Sequence, residues 1–167
     1  MRKMTEDNLK NAFAGESQAH MRYLIFAKRA EAEGLPSIAR LFKAISYAEQ
    51  VHATNHYNAL SLIRGSSDNL QVCIDGETYE VKEMYPAFYA VAQLQEEKGA
   101  MQTFNFALQA EKIHASMYQN AKKTVETRKD IQLGMMHICE VCGHTVEGEA
   151  PDRCPVCGAS KEKFRKF

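Results

Sequence analysis

The sequence predicts a mainly α chain: a four-helix bundle over residues 1–133, then a small four-cysteine domain over residues 134–167. Three observations carry that reading. The long N-terminal part is rich in Ala, Glu, Gln, Lys, Leu and Met, the good helix formers. Its apolar residues recur at helical spacing in four stretches separated by breaks. Four of the five cysteines (Cys139, Cys142, Cys154 and Cys157) crowd near the C-terminus with Gly134, Gly143, Gly148, Gly158, Pro151 and Pro155.

The first helix is expected to start after Thr5, a suitable N-cap, and to stop at Gly34-Leu35-Pro36. Pro36 suits the first turn of a second helix running to Arg64. Gly65-Ser66-Ser67-Asp68-Asn69 then breaks the pattern, and the connection over Gly65 to Glu77 is expected to be the longest in the bundle. A third helix follows over Thr78 to Lys98, which Pro86 is expected to bend or to interrupt by starting a new segment, and a fourth runs from Gly99 to Arg128. Two tight connections and one long one suit a bundle with a single crossover.

Composition removes several function classes. Twenty-one basic residues balance 21 acidic ones, so no global charge favours nucleic acid or an anionic membrane. No run approaches the ~18 apolar residues of a membrane span, and the first ten residues lack the apolar region of a secretory signal. A cytoplasmic, reducing setting is expected, in which clustered cysteines hold metal rather than form disulfides.

Carboxylates on apolar faces carry the chemistry. Glu16 lies among Leu9, Phe13, Tyr23 and Ala27 in the first helix. The second helix carries Ile38, Leu41 and Ile45 ahead of Glu49 and His52. In the third, Glu83 shares a face with Ala87, Ala90 and Leu94, and Glu80 precedes it by one turn. The fourth carries Met101, Phe104 and Leu108 ahead of Glu111 and His114. An ionised carboxylate facing a core needs a compensating charge. Glu-x-x-His at i, i+3 puts carboxylate and imidazole side by side. Two such pairs, each preceded by a glutamate on another helix, form the ligand constellation of two-metal carboxylate bundles. His20 and His56 are read as lying outside the ligand set, Tyr23 and Tyr118 as core tyrosines, and Cys73 as a small buried hydrophobe. His137 and His144 are expected to be exposed.

Cys139-x-x-Cys142-Gly and Cys154-x-x-Cys157-Gly form paired knuckles. Four thiolates suit tetrahedral iron or zinc, and a tail this short needs the metal to fold.

These motifs closely resemble the rubrerythrin family over nearly the whole chain. Ala12-Phe-Ala-Gly-Glu16-Ser-Gln-Ala19 is similar to its first-helix signature, and Glu80-Val-Lys-Glu83-Met-Tyr-Pro86 to its third. The two Glu-x-x-His pairs and the cysteine tail follow in the family's order. The resemblance implies a ferritin-like bundle with a rubredoxin-like tail. It implies two non-haem irons served by Glu16, Glu49, His52, Glu80, Glu83, Glu111 and His114. A third iron, with zinc as the alternative, would be held by Cys139, Cys142, Cys154 and Cys157. His144 stands where the family's first knuckle is followed by an aromatic residue. The implied activity is two-electron reduction of hydrogen peroxide to water, with electrons passed through the tail from a rubredoxin or an NAD(P)H-dependent reductase. The implied assembly is a head-to-tail homodimer that brings one chain's tail to the other's iron pair. The alternatives are an iron-storing ferroxidase and a non-enzymatic module with zinc in the tail.

Overall fold

The computed structural model describes every residue, Met1–Phe167. The chain divides into two compact units, Met1–Arg64 and Gly65–Phe167. No helix is long and apolar enough to cross a membrane.

The first unit is an antiparallel hairpin of α1 (Lys3–Ala32) and α2 (Pro36–Ala59). Gly34 ends α1 at φ +74°, a left-handed conformation that costs little without a Cβ, and Pro36 opens α2 as expected. Small residues let the helices approach: Ala27, Ala30, Ala39, Ser46 and Ala53 are buried. Aromatic rings fill the ends of the seam, with Phe13 against Tyr57 at 5.0 Å and Phe26 against Phe42 at 5.6 Å. Ser46 is fully buried, and its hydroxyl donates to the His20 carbonyl at 2.9 Å. His20 Nδ1 lies 2.9 Å from the Ser46 carbonyl, where it donates in return. His20 is therefore a staple between the two helices.

In the second unit, α3 (Ser66–Tyr79), a π-helical segment (Glu80–Met84) and α4 (Tyr85–Leu94) form one rod against α5 (Lys98–Glu126). Tyr85 and Phe88 meet Phe104 across this seam, at 6.2 and 5.7 Å between ring centroids. Two expectations are corrected here. The residues from Ser66 to Glu77 are helical, so the connection after α2 is residues 60–65 and no long crossover segment exists. The Gly-Ser-Ser-Asp cluster is a helix start: Gly65 is the N-cap and Asp68 sits in the first turn, where a carboxylate favours the helix dipole. Pro86 begins a new segment, one of the two outcomes expected of it: it stands in the first turn of α4, directly after the π segment. Pro86 has no N–H to bond within the helix, and Tyr85 donates to the Glu80 carbonyl across the widened turn.

The tail carries a three-stranded antiparallel sheet, ordered β2–β1–β3, of β1 (Met136–Cys139), β2 (Thr145–Glu147) and β3 (Phe164–Lys166). Its core is Cys139, Cys142, Ala150, Cys154 and Phe164, and Phe106 of α5 packs against it. His137 is buried, contrary to expectation, because β1 is the central strand. His144 is half-buried and meets Phe164 edge-on at 6.4 Å. Cys73 is half-buried.

The Ser46 staple makes a direct prediction. Ser46→Ala removes a buried hydrogen bond and should destabilise the chain by about 1 kcal/mol in urea unfolding. An unchanged midpoint would show that the seam does not depend on it.

Candidate metal centre

Each knuckle turns on a glycine in the left-handed region, Gly143 at φ +79° and Gly158 at φ +75°. The two turns are closed alike, Gly143 N–H donating to the Cys139 carbonyl and Gly158 N–H to that of Cys154, both at 2.9 Å. The four sulfurs face one another, with Cys139 Sγ 3.6 Å from Cys157 Sγ and Cys142 Sγ 3.5 Å from Cys154 Sγ. A tetrahedral ion with metal–sulfur bonds of ~2.3 Å needs edges of about 3.8 Å, so the donor set fits one ion. Burial raises the Cys142 thiol, and hydrogen bonds with the other sulfurs add to that. At Cys154 burial also pushes upward, but N–H groups of Cys157 and Val156 outweigh it and lower the thiol.

Two carboxylate–histidine groups lie elsewhere, one in each unit. In the hairpin, α1 brings Glu16 to Glu49 and His52 of α2, and one donor atom from each lies within 4.8 Å of the others. His52 Nδ1 is 2.8 Å from Glu49 Oε2 and 4.0 Å from Glu16 Oε1. The hairpin leaves the His52 side chain 53% exposed.

In the second unit the group is Glu77, Glu111 and His114. His114 Nδ1 lies 2.6 Å from Glu111 Oε2. Glu77 is the residue that sequence reasoning missed. The sequence marks it as the end of a loop, whereas α3 places it one turn before Glu80 and within reach of Glu111 and His114 of α5. Glu80 is half-buried, close enough to feel Glu111 and His114 electrostatically. Glu83 is exposed and is not brought into the group. The reason is the π segment, which inserts one residue and shifts the helical phase. A face counted back from Leu94, Ala90 and Ala87 to Glu83 does not continue upstream. The Glu77-x-x-Glu80 spacing was the signal available for the face turned to Glu111.

The electrostatics of this group are those of crowded anions. Burial pushes the Glu77 carboxyl up to about 7, with hydrogen bonding and repulsion from Glu111 and repulsion from Glu80 adding to it. Glu80 is raised as well, by burial first and then by Glu111. Burial raises the Tyr85 and Tyr118 phenols, and repulsion from Glu77 and Glu111 contributes to both shifts. A cation placed among these oxygens replaces the proton that they otherwise compete for.

The tail lies against this same group within one unit. His114 Nε2 is 2.7 Å from Thr145 Oγ1, and Thr145 donates its own proton to the Gly143 carbonyl at 3.1 Å. An open cleft lined by Phe106, Ala110, Glu111 and His114 of α5 reaches Cys142 and Gly143. At the α5 group, the chain's own tail lies beside the carboxylates.

Comparison with known proteins bears on this combination. The rubrerythrin family model matches residues 7–122, and the model of the rubredoxin-like domain of rubrerythrin matches residues 137–165. The chain belongs to the rubrerythrin family. It is 47% identical to rubrerythrin-2 of Clostridium acetobutylicum, covering 98% of this chain and 97% of that one. It is 34% identical to nigerythrin of Nitratidesulfovibrio vulgaris, covering 98% and 86%. A solved structure of nigerythrin in its fully reduced, all-ferrous state matches with a TM-score of 0.56. The fold class is accordingly a mainly α, ferritin-like protein with a small rubredoxin-like domain. Its rubrerythrin features are the four-cysteine rubredoxin-like site and the paired Glu/His metal-site candidates.

Two predictions follow from the α5 group. Because the Glu77 carboxyl is raised in the folded, metal-free chain, its contribution to stability is full below pH ~4.5. It is lost as pH rises through about 7. Glu77→Gln should flatten that part of the pH–stability curve, measured by urea unfolding with zinc confined to the tail; an unaltered slope would remove Glu77 as its source. Glu111→Ala should weaken metal binding at this group more than ~100-fold while the tail keeps its metal, since a direct ligand should matter more than the outer partners worth 10–100-fold. Elemental analysis after gel filtration separates the two sites.

Proposed function

We propose that this rubrerythrin-family protein is a non-haem iron peroxidase that reduces hydrogen peroxide to water in a reducing, cytoplasmic setting. The observation that supports it most is the coexistence of two kinds of centre. Two glutamate–histidine groups, one of them lining an open cleft, stand beside one four-thiolate site whose four sulfurs close on one another. The broader reading, an iron-dependent oxidoreductase, rests on the relatives, one of which is described in an all-ferrous state. The proposed functional boundary lies at residues 133–134, between the spans matched by the two family models.

The proposed ligands of the iron pair are Glu16, Glu49, His52, Glu77, Glu80, Glu111 and His114. Glu77 takes the place first given to Glu83. Oxygen donors with two imidazoles suit a redox-active pair and leave positions open. These residues would hold a ferrous pair, which would supply the two electrons that, with two protons, convert one peroxide to two waters. The carboxylates offset the metals' charge, and their crowding favours a doubly charged cation over a proton. His114 and His52 each present Nδ1 toward a carboxylate. Cys139, Cys142, Cys154 and Cys157 are proposed to hold the third iron out of contact with substrate, as an electron entry point for a rubredoxin or an NAD(P)H-dependent reductase. A homodimer is proposed on the family resemblance, with sizing in solution as its check.

Mixing anaerobically reduced protein with peroxide or with oxygen in a stopped-flow instrument tests this reading. Faster oxidation of the centres by peroxide supports the peroxidase. Equal or faster oxidation by oxygen overturns it in favour of a ferroxidase. Cys157→Ser should abolish reductase-coupled turnover yet leave a single oxidation of the chemically reduced pair. Undiminished coupled turnover would remove the tail from the electron route.

A further inference from the structure

A two-metal carboxylate site needs four helices, with one glutamate from each of two and a Glu-x-x-His pair from each of the others. Each unit supplies two helices and half of the ligands: Glu16 with Glu49 and His52 in the hairpin, Glu77 with Glu111 and His114 in the second unit. Each unit also leaves apolar side chains uncovered. On α2, Ile38, Leu41 and Ile45 lead to Glu49 at spacings of three and four residues. All three are exposed, Leu41 at 57%. On α4, Val91 and Leu94 are exposed, Leu94 at 85%. The hairpin fully buries no side chain larger than serine, so most of its apolar surface is left for a second layer to cover.

The connection after α2 decides which second layer is available. A ferritin-like bundle has one long crossover, because its second and third helices run in the same direction. Glu49 lies ten residues before the end of α2, and Glu77 eleven residues after the start of α3. Bringing the two groups level with α2 and α3 parallel therefore sets those helix ends ~32 Å apart. Only residues 60–65 join them, and that many Cα–Cα steps reach about 25 Å at full stretch. Two of the six residues are already held in a turn, Leu60 N–H donating to the His56 carbonyl and Ser61 N–H to that of Asn58. A single chain cannot span that distance in the ferritin-like order. We propose that two copies of the chain exchange halves: the hairpin of one packs on the second unit of the other, and each metal pair is shared between two chains. The inference rests on the di-iron reading above for the use of the site, and on the exposed faces and the short connection for the exchange. A twofold axis covers both faces of both chains and builds two sites, so assembly closes at the dimer. Because the tail lies beside α5, each shared pair takes its tail from the chain that supplies Glu111 and His114.

Isotope-filtered NMR tests the exchange without iron, on the full wild-type chain with one zinc in each thiolate site. Chains labelled at the Ile and Leu methyls are unfolded and refolded with an equal amount of unlabelled chain. The methyls of Ile38, Leu41 and Ile45 should show contacts with protons of the unlabelled copy. Contacts confined to the labelled chain itself, or a monomer in sedimentation, would overturn the proposal. Ferrous-iron binding then tests the shared site. One variant carries Glu49→Ala with His52→Ala, and the other Glu111→Ala with His114→Ala. Each alone should lose the carboxylate irons while the tail keeps its metal. Refolded together in equal amounts, about half of the dimers are mixed, and each of these has one undamaged site of its two. The mixture should therefore regain about a quarter of the wild-type carboxylate iron by elemental analysis. No recovery, with both variants folded and dimeric, would overturn the exchange. If the wild-type chain binds no ferrous iron at its carboxylates, the di-iron reading fails instead, and the methyl contacts still decide whether the halves are exchanged.

Discussion

The repulsion among Glu77, Glu80 and Glu111 is the constraint around which the second unit is organised. Burial, and then the neighbouring Glu111 carboxylate, raise the proton affinity of both Glu77 and Glu80, and Glu77 is pushed up to about 7. A folded chain gains nothing from such crowding unless a cation offsets it. The surrounding structure pays for the arrangement in a consistent way: α5 carries Glu111 and His114 one turn apart, α3 delivers Glu77, and the π segment carries Glu80 into reach of the same centre. The hairpin of the first unit repeats the pattern with Glu16, Glu49 and His52.

The tail follows a different logic. Its four sulfurs close on one another at the spacing of a tetrahedral site, and little apolar area is available to hold so short a domain together. Two sheet residues and one helix residue, Val146, Phe164 and Phe106, complete its small core. The tail docks on α5 through Phe106 and joins His114 through Thr145. A closed centre and an open one are thus linked by a hydrogen-bonded contact a few residues long, within one compact unit.

Much of this was legible in the sequence because it is local. The spacing of Glu49 with His52, of Glu111 with His114, and of each cysteine pair is set by three residues of helix or turn, and periodicity alone shows it. The helical character of residues 66–77 was hidden because Ser, Asp and Gly mark loops and helix starts alike. The place of Glu77 beside Glu111 and His114 was hidden for a sharper reason. A π segment adds a residue without any compositional mark, so the apolar face downstream of Pro86 says nothing about the face upstream. The contact of His114 with Thr145 spans 31 positions and depends on how the tail docks, which no periodicity encodes. The burial of His137 is not legible in the sequence because a four-residue central strand carries too short a pattern to reveal its inward face.

The central claim is that one chain holds two chemically distinct iron environments, a tetrathiolate ion and a carboxylate–imidazole pair. Mössbauer spectroscopy of the protein reconstituted anaerobically with ferrous iron measures this directly. The account predicts two ferrous signals in a ratio of about one sulfur-ligated iron to two oxygen- and nitrogen-ligated irons. A spectrum containing only the sulfur-ligated iron at full loading would contradict it, leaving the glutamates and histidines of both units without a metal to hold.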